Sequence, residues 1–119
     1  MHRGLLAGLN IDLYPRRHFG AGEVVLGDGA GTDRLLVVID GRIGTGVGRK
    51  ALGPGDLVKP VEFFGAPKYF GDLRARSAAQ VAIVPRDAVR ACLEAQGALT
   101  WSIACAIAIE AIAAVGEMS

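Results

Sequence analysis

The run F-G-A-G-E-V-V-L-G-D-G-A-G-T-D-R-L-L-V-V-I-D-G-R-I, from Phe19 to Ile43, closing on L-G-P-G-D from Leu52 to Asp56, decides the fold. Short apolar stretches alternate in it with clusters that only Gly, Asp or Pro suit, because those residues reach turn conformations other side chains resist. Glu23 to Leu26 reads as a strand ended by Gly27-Asp28-Gly29-Ala30-Gly31. Leu35 to Ile39 is continuously apolar, the pattern of a strand covered on both faces. Asp40-Gly41 reads as a two-residue hairpin turn, Arg42 to Val47 as the returning strand, and Gly53-Pro54-Gly55-Asp56 as a tight corner.

Outward from that run the pattern continues. Met1 to Leu13 is a lead-in with room for one or two helical turns, and Arg16 to Phe19 is a first strand. Two more strands fit Tyr69 to Ala75 and Gln80 to Val84, joined over Arg76-Ser77-Ala78-Ala79. The period then changes from two to that of a helix. Pro85-Arg86-Asp87 opens one, with Pro tolerated near the start and Asp87 favourable to the dipole; Val89, Cys92 and Leu93 form its apolar stripe and Gly97 ends it. A second helix spans 98–115 and stops near Gly116. The fold class is therefore mainly β: one domain over 1–119, with a β-roll of seven or eight jelly-roll-like strands over 14–84 and helices over 85–119.

Composition agrees with one compact domain. The chain has 119 residues, 51% apolar and 21% charged, enough for a core and too few charges for bulk disorder. Its 17 glycines are about twice ordinary usage, which marks tight β turns. Thirteen basic and twelve acidic residues leave a net charge of +1, so no basic stripe argues for nucleic-acid binding by this chain. Cys92 and Cys105 read as buried thiols of a reducing compartment. The N-terminal apolar run is too short for a signal peptide, so a cytoplasmic location is expected.

Gly22-Glu23, Gly27-Asp28, Gly41-Arg42, Leu52 to Asp56, and V-A-I-V-P-R-D-A-V from Val81 to Val89 together resemble the sensor domain of the Crp–Fnr family, the cyclic-nucleotide-binding fold of bacterial transcription regulators. The resemblance covers about Phe19 to Glu94. It implies a β-roll whose Gly-Asp turn is followed by a phosphate cassette. There F-G-E presents a glycine amide and a helix start to the phosphate and a Glu to the ribose, and the Arg of R-S-A or R-T-A pairs the cyclic phosphate. It also implies a long C-terminal helix pairing with its twin across a dimer axis. In the family a helix-turn-helix module follows that helix; the stretch to Ser119 fits either the sensor part of such a regulator or a stand-alone domain.

The cassette departs from this pattern. A gap-free register, anchored on Gly55-Asp56 and Pro85-Arg86, puts Lys59-Pro60 at the Gly-Glu positions and Tyr69-Phe70 at Arg-Ser, with Gly71 next. Pro60 has neither carboxylate nor N–H, and Tyr69 has no charge, so cyclic nucleotide would not be held in the usual way. A slipped register sets Phe64-Gly65-Ala66 against F-G-E and Arg76-Ser77-Ala78 against R-S-A, giving a ligand site on Gly65, Arg76 and Ser77. It leaves too few residues before Pro85 for the last two strands, and the gap-free register is preferred. Lys59, Lys68, Arg74 and Arg76 could hold a small anion differently; their ordinary role is as solvated charges on loops and strand edges. Phe63, Phe64, Tyr69 and Phe70 could line an apolar pocket, although aromatic residues of strands are more often core.

No resident cofactor and no metal site are assigned. A cupin-like metalloenzyme needs clustered histidines, and His2 and His18 form no such cluster. Ser77, Ser102 and Ser119 lack a His–Asp arrangement, no cysteine precedes Cys92 to hold iron–sulfur, and His18 is a haem ligand in name only. No enzyme is expected. The helix over 98–115 is apolar nearly all round, so it must bury most of its surface. Its length approaches a membrane span, but Glu110, the small residues and the lack of basic anchors argue against one. Trp101, Ile103, Ala104, Ile107, Ala108 and Ile112 are assigned to a homodimer contact, the alternative being packing on the roll. The expected function is a non-catalytic sensor domain; the alternatives are a working cAMP or cGMP domain with a shifted cassette, and a cupin-like enzyme.

Overall fold

The computed structural model describes residues 8–44 and 51–118. A 3-10 turn at Ile11–Leu13 leads into two antiparallel sheets. The first has the order β1-β6-β3, from Arg16–Phe19, Ala79–Pro85 and Arg34–Asp40; the second has the order β2-β5-β4, from Val24–Leu26, Leu73–Ala75 and Ile43–Gly44. Helix α1, Pro60–Gly65, lies between β4 and β5, and α2, Arg86–Gln96, and α3, Thr100–Met118, follow β6.

The long central strands explain the core. Val81 pairs with both Arg17 and Val38, and Ala82 with both Arg16 and Val37. Leu35 to Val38 are all buried, as a strand covered on both faces requires. The apolar residues of both sheets belong to one buried cluster. The first sheet packs under the helices, where Leu35, Val84, Val89 and Leu93 are fully buried within it. Burial of a side chain of this kind contributes about 1.5–3 kcal/mol.

Six strands stand among the described residues, not seven or eight. Leu52, Leu57 and Lys68 make isolated bridges to Ile43, Val37 and Gly31 rather than further strands. The expected strand over Tyr69 to Ala75 shortens to Leu73–Ala75, because Gly71 takes φ +78° and breaks the extension. The continuation of β4 to Val47 lies outside the described residues. Asp40-Gly41 is not a hairpin turn: β3 pairs with β6 and β4 with β5, so the chain changes sheets there. Only Gly41 has positive φ, and a Cβ on it would stand 2.2 Å from the Ala78 carbonyl oxygen. The Gly53–Asp56 corner forms as expected, with Gly55 at φ +90° and the Asp56 amide donating to Gly53 O.

Helix α3 starts at Thr100, after a turn over Ala98-Leu99, and runs through Gly116 to Met118. A glycine late in a helix weakens it by about 1 kcal/mol without ending it. The chain bends by 115° between α2 and α3. Among the described residues no single helix is long and apolar enough to cross a membrane.

Candidate functional site

The site grows from the corner at Gly55-Asp56. Val58 is locked to β3 by its amide, which donates to Leu36 O, and the chain then turns at Lys59 into α1. Lys59 has φ +47°, the sole positive φ outside glycine among the described residues, and it sits at the N-cap of α1 with Pro60 at the first helical position. Pro60 suits that position because its missing N–H would have no intrahelical partner. The Lys59 side chain folds back across the site. Its Nζ donates to the carbonyls of Phe70 and Gly71 and lies 3.6 Å from the Glu62 carboxylate.

The other side of the site is built by Tyr69 to Asp72, the segment that leads into β5. Tyr69 is 1% exposed, and its hydroxyl donates to Arg34 O at 2.8 Å. Burial pushes its phenol above the ordinary value, and the Glu62 charge acts in the same direction. The segment is sewn to the β2–β3 loop by two carboxylates. The Gly71 amide donates to Asp28 Oδ1 at 2.6 Å, and the Asp28 amide donates to Asp72 Oδ1 at 2.8 Å.

Beneath the site, α1 is the seat of α3. A Cβ on Gly65 would meet Ala108 backbone atoms at 2.7–2.9 Å, so glycine permits the approach. Phe63, Phe64 and Trp101 stack edge to face, with ring centroids 5.0–6.3 Å apart. The Arg86 guanidinium lies 4.9 Å from the ring centroids of both Phe63 and Trp101. It also donates to Phe63 O at 2.6 Å and Thr32 O at 3.1 Å, joining α1, α2, α3 and the β2–β3 loop at one point.

Of the sequence candidates, the structure brings Lys59, Pro60 and Gly71 together with Tyr69 in the adjoining wall. Gly65 ends α1 under α3, whereas Arg76 and Ser77 occupy the β5–β6 turn. There Ser77 Oγ accepts from the Arg42 amide, and the Arg76 side chain lies across Gly44. Arg74 donates to Gly22 O, and Lys68 is exposed at its bridge to Gly31, so the four cations do not form one cluster. Phe63, Phe64 and Tyr69 are core; Phe70 is 55% exposed. Sequence reading passed over Arg86, Thr32, Glu62 and the Asp28–Asp72 pair, whose roles rest on contacts across the fold. Arg86 gave one signal, an arginine at the handover from strand to helix.

The α3 residues divide between two faces. Trp101 and Ala108 are buried, Ala104 and Cys105 are half-buried against the core, and Ile112 is half-buried, at the 3–4 residue spacing of an inward stripe that faces α1 and α2. Ile103 and Ile107 point outward at 53% and 63% exposure; Ile109 and Val115 are also exposed, on other lines of the helix. Among the described residues no three His, Cys, Asp or Glu side chains could share a metal ion. His18 is exposed on β1 beside Gln80. A cavity of about 70 Å³ lies between residues of β1, β2, β3 and β6. It is lined by Arg17, Phe19, Val25, Leu36 and Ile83, and by Tyr69 alone of the candidate residues.

The model of the cyclic nucleotide-binding domain matches residues 16–96. The chain belongs to that family. Solved structures of cyclic nucleotide-binding folds agree with it in architecture. A transcriptional regulator from Thermotoga maritima superposes with TM-score 0.61 at 15% identity, over 91% of this chain and 90% of that one. The catabolite activator protein of Thermus thermophilus gives TM-score 0.59 at 18% identity, over 96% of this chain and 58% of the other. A cAMP-bound PfPKA-R gives TM-score 0.62 at 18% identity over 77% of this chain, which spans 36% of that protein. At such identities the likeness is one of fold. No curated protein matches the chain by sequence.

Proposed function

We propose that this cyclic nucleotide-binding domain is a non-catalytic regulatory module that pairs with a second copy through α3 and does not hold cyclic nucleotide in the family's usual way. The observation that carries this reading is the seam between α1 and α3. Gly65 admits the Ala108 backbone, and Trp101 packs edge to face on Phe63 and Phe64, a close contact that couples the position of α3 to that of α1. A shift of the cassette is thereby a shift of α3, the two-state element a regulatory domain needs. The outward stripe of Ile103 and Ile107 supports a second copy as the receiver, because burying each isoleucine stabilises a contact by about 1.5–3 kcal/mol.

The ligand part of the reading is supported by the residues at the cassette positions. Pro60 offers no amide and no carboxylate, and the Tyr69 hydroxyl is committed to Arg34 O inside the roll. Thermal unfolding with and without cAMP or cGMP tests it. At about 100-fold over its dissociation constant a ligand stabilises by about 2.7 kcal/mol, a shift of several degrees for a domain of this size. The expected result is no shift with either nucleotide; a clear upward shift overturns the reading.

A further inference from the structure

We infer that Lys59 is an internal substitute for ligand: its ammonium fills the cassette and ties α1 to the Phe70–Gly71 segment, so the domain holds its α1–α3 seam with no ligand present. The inference rests on the reading above, that the cassette is regulatory and takes no cyclic nucleotide in the usual way.

Three features of this residue converge. The first is its backbone. A side-chain-bearing residue at φ +47° is held there only where surrounding contacts over-determine it. The second is the saturation of its charge. An ammonium has three N–H donors. Here the Phe70 and Gly71 carbonyls are two neutral acceptors, and the Glu62 carboxylate at 3.6 Å is the anionic neighbour that completes the set. The side chains of Lys59 and Glu62 are only 14% and 22% exposed, so water does little to replace those partners.

The third feature is the sign of the cradle. Two carbonyl oxygens and a carboxylate converge on one point, and Pro60 puts no amide there. Such a lining attracts a cation and repels a phosphate. In the family pattern the ligand joins the helix start to the segment after it; in this chain the bond from Lys59 to Phe70 and Gly71 makes that same junction from within. Lys59 itself thus supplies the cation that the cradle accepts.

The test is hydrogen–deuterium exchange of the whole chain, read by mass spectrometry, on wild type and on Lys59→Met, Lys59→Gly and Lys59→Arg. Methionine keeps the stem and removes the charge. Glycine removes both and suits the positive φ, so at least one uncharged variant keeps the fold; circular dichroism checks both. Local opening is read directly by exchange rates. Both uncharged variants are expected to exchange roughly tenfold or more faster over residues 60–72, with β3 and β6 within about twofold of wild type. Lys59→Arg is expected to retain protection, and emission of Trp101, the chain's single tryptophan, to move only in the uncharged pair. Exchange over 60–72 within about twofold of wild type in both uncharged variants overturns the inference, as does acceleration spread evenly over the chain. Added cAMP separates the two readings. Protection gained by wild type would defeat the function proposed above, and the Lys59 variants would still decide the tether on their own.

Discussion

Gly65 lies so close under Ala108 that a Cβ on the glycine would stand 2.7 Å from the Ala108 carbonyl carbon. The neighbour is helix backbone, which cannot step aside as a side-chain tip could. Gly65→Ala therefore sets two effects against each other. Alanine raises helix propensity by about 1 kcal/mol at most, less at the last residue of a six-residue helix. Overpacking costs about 1–3 kcal/mol. The clash wins, and Gly65→Ala is expected to lower stability by about 1–2 kcal/mol and to shift Trp101 emission; urea unfolding and fluorescence read both. Equal stability would mean that α3 can slide on α1.

Tyr69 gives a pH prediction. Its phenol is held above the ordinary value of about 10 mainly by burial. The raised value means that the folded state keeps its proton where the unfolded state loses it. The resulting stability is complete below about pH 10 and falls as pH rises beyond that point. Tyr69→Phe is expected to cost about 1 kcal/mol at neutral pH, through the lost bond to Arg34 O, and to flatten the alkaline decline. Melting temperatures measured from pH 7 to 11 check it; parallel curves for the two proteins would defeat the assignment.

The two faces of α3 make separable predictions. Ile103→Asp and Ile107→Asp alter outward positions, so monomer stability should stay within about 0.5 kcal/mol, while light scattering should show the dimer weakened. Ala108→Leu alters the inward face, 5% exposed, and should destabilise the fold by about 1–3 kcal/mol. A wild-type chain that scatters as a monomer at micromolar concentration, with Ile107→Asp unchanged, removes the dimer.

Arg86 should be the most costly polar substitution. Arg86→Met leaves the carbonyls of Thr32 and Phe63 without their donor and is expected to cost about 2–3 kcal/mol. Arg86→Lys keeps the charge but loses the planar fork and its stacking on Phe63 and Trp101, and should recover only part of that loss. Chemical denaturation of both variants measures it, and full recovery by lysine would show that charge alone is required.

The turns were the most legible part of the sequence, since Gly55 and Gly41 stand where a positive φ is needed and few other residues reach it. What Gly41 joins was not legible. A turn residue reports a local reversal, whereas membership of one sheet or two depends on β5 and β6, which come some thirty residues later. The two cassette registers also differed in a local feature. Pro60 starts a helix, and the residues expected of the slipped arginine pair form a turn. For α3, an all-round apolar composition carries no facing information; Gly65, forty residues earlier, selects Ala108 for the inward side. Lys59 was legible as a nearby cation, but its partners are main-chain carbonyls, and no side-chain pattern encodes where those point.

The placement of β6 has a consequence for the order in which this chain can fold. It is the last strand in sequence and the middle strand of its sheet, pairing with β1 on one side and β3 on the other. Until residue 85 is available, β1 and β3 have no common partner, and β3, whose Leu35 to Val38 are apolar, waits as an open edge. The first sheet thus closes in a late step that joins segments roughly forty and sixty residues apart, which makes it slow relative to the helices. A truncation before β6 is therefore expected to yield aggregates rather than a smaller domain, because β1 and β3 would lack the strand that joins them.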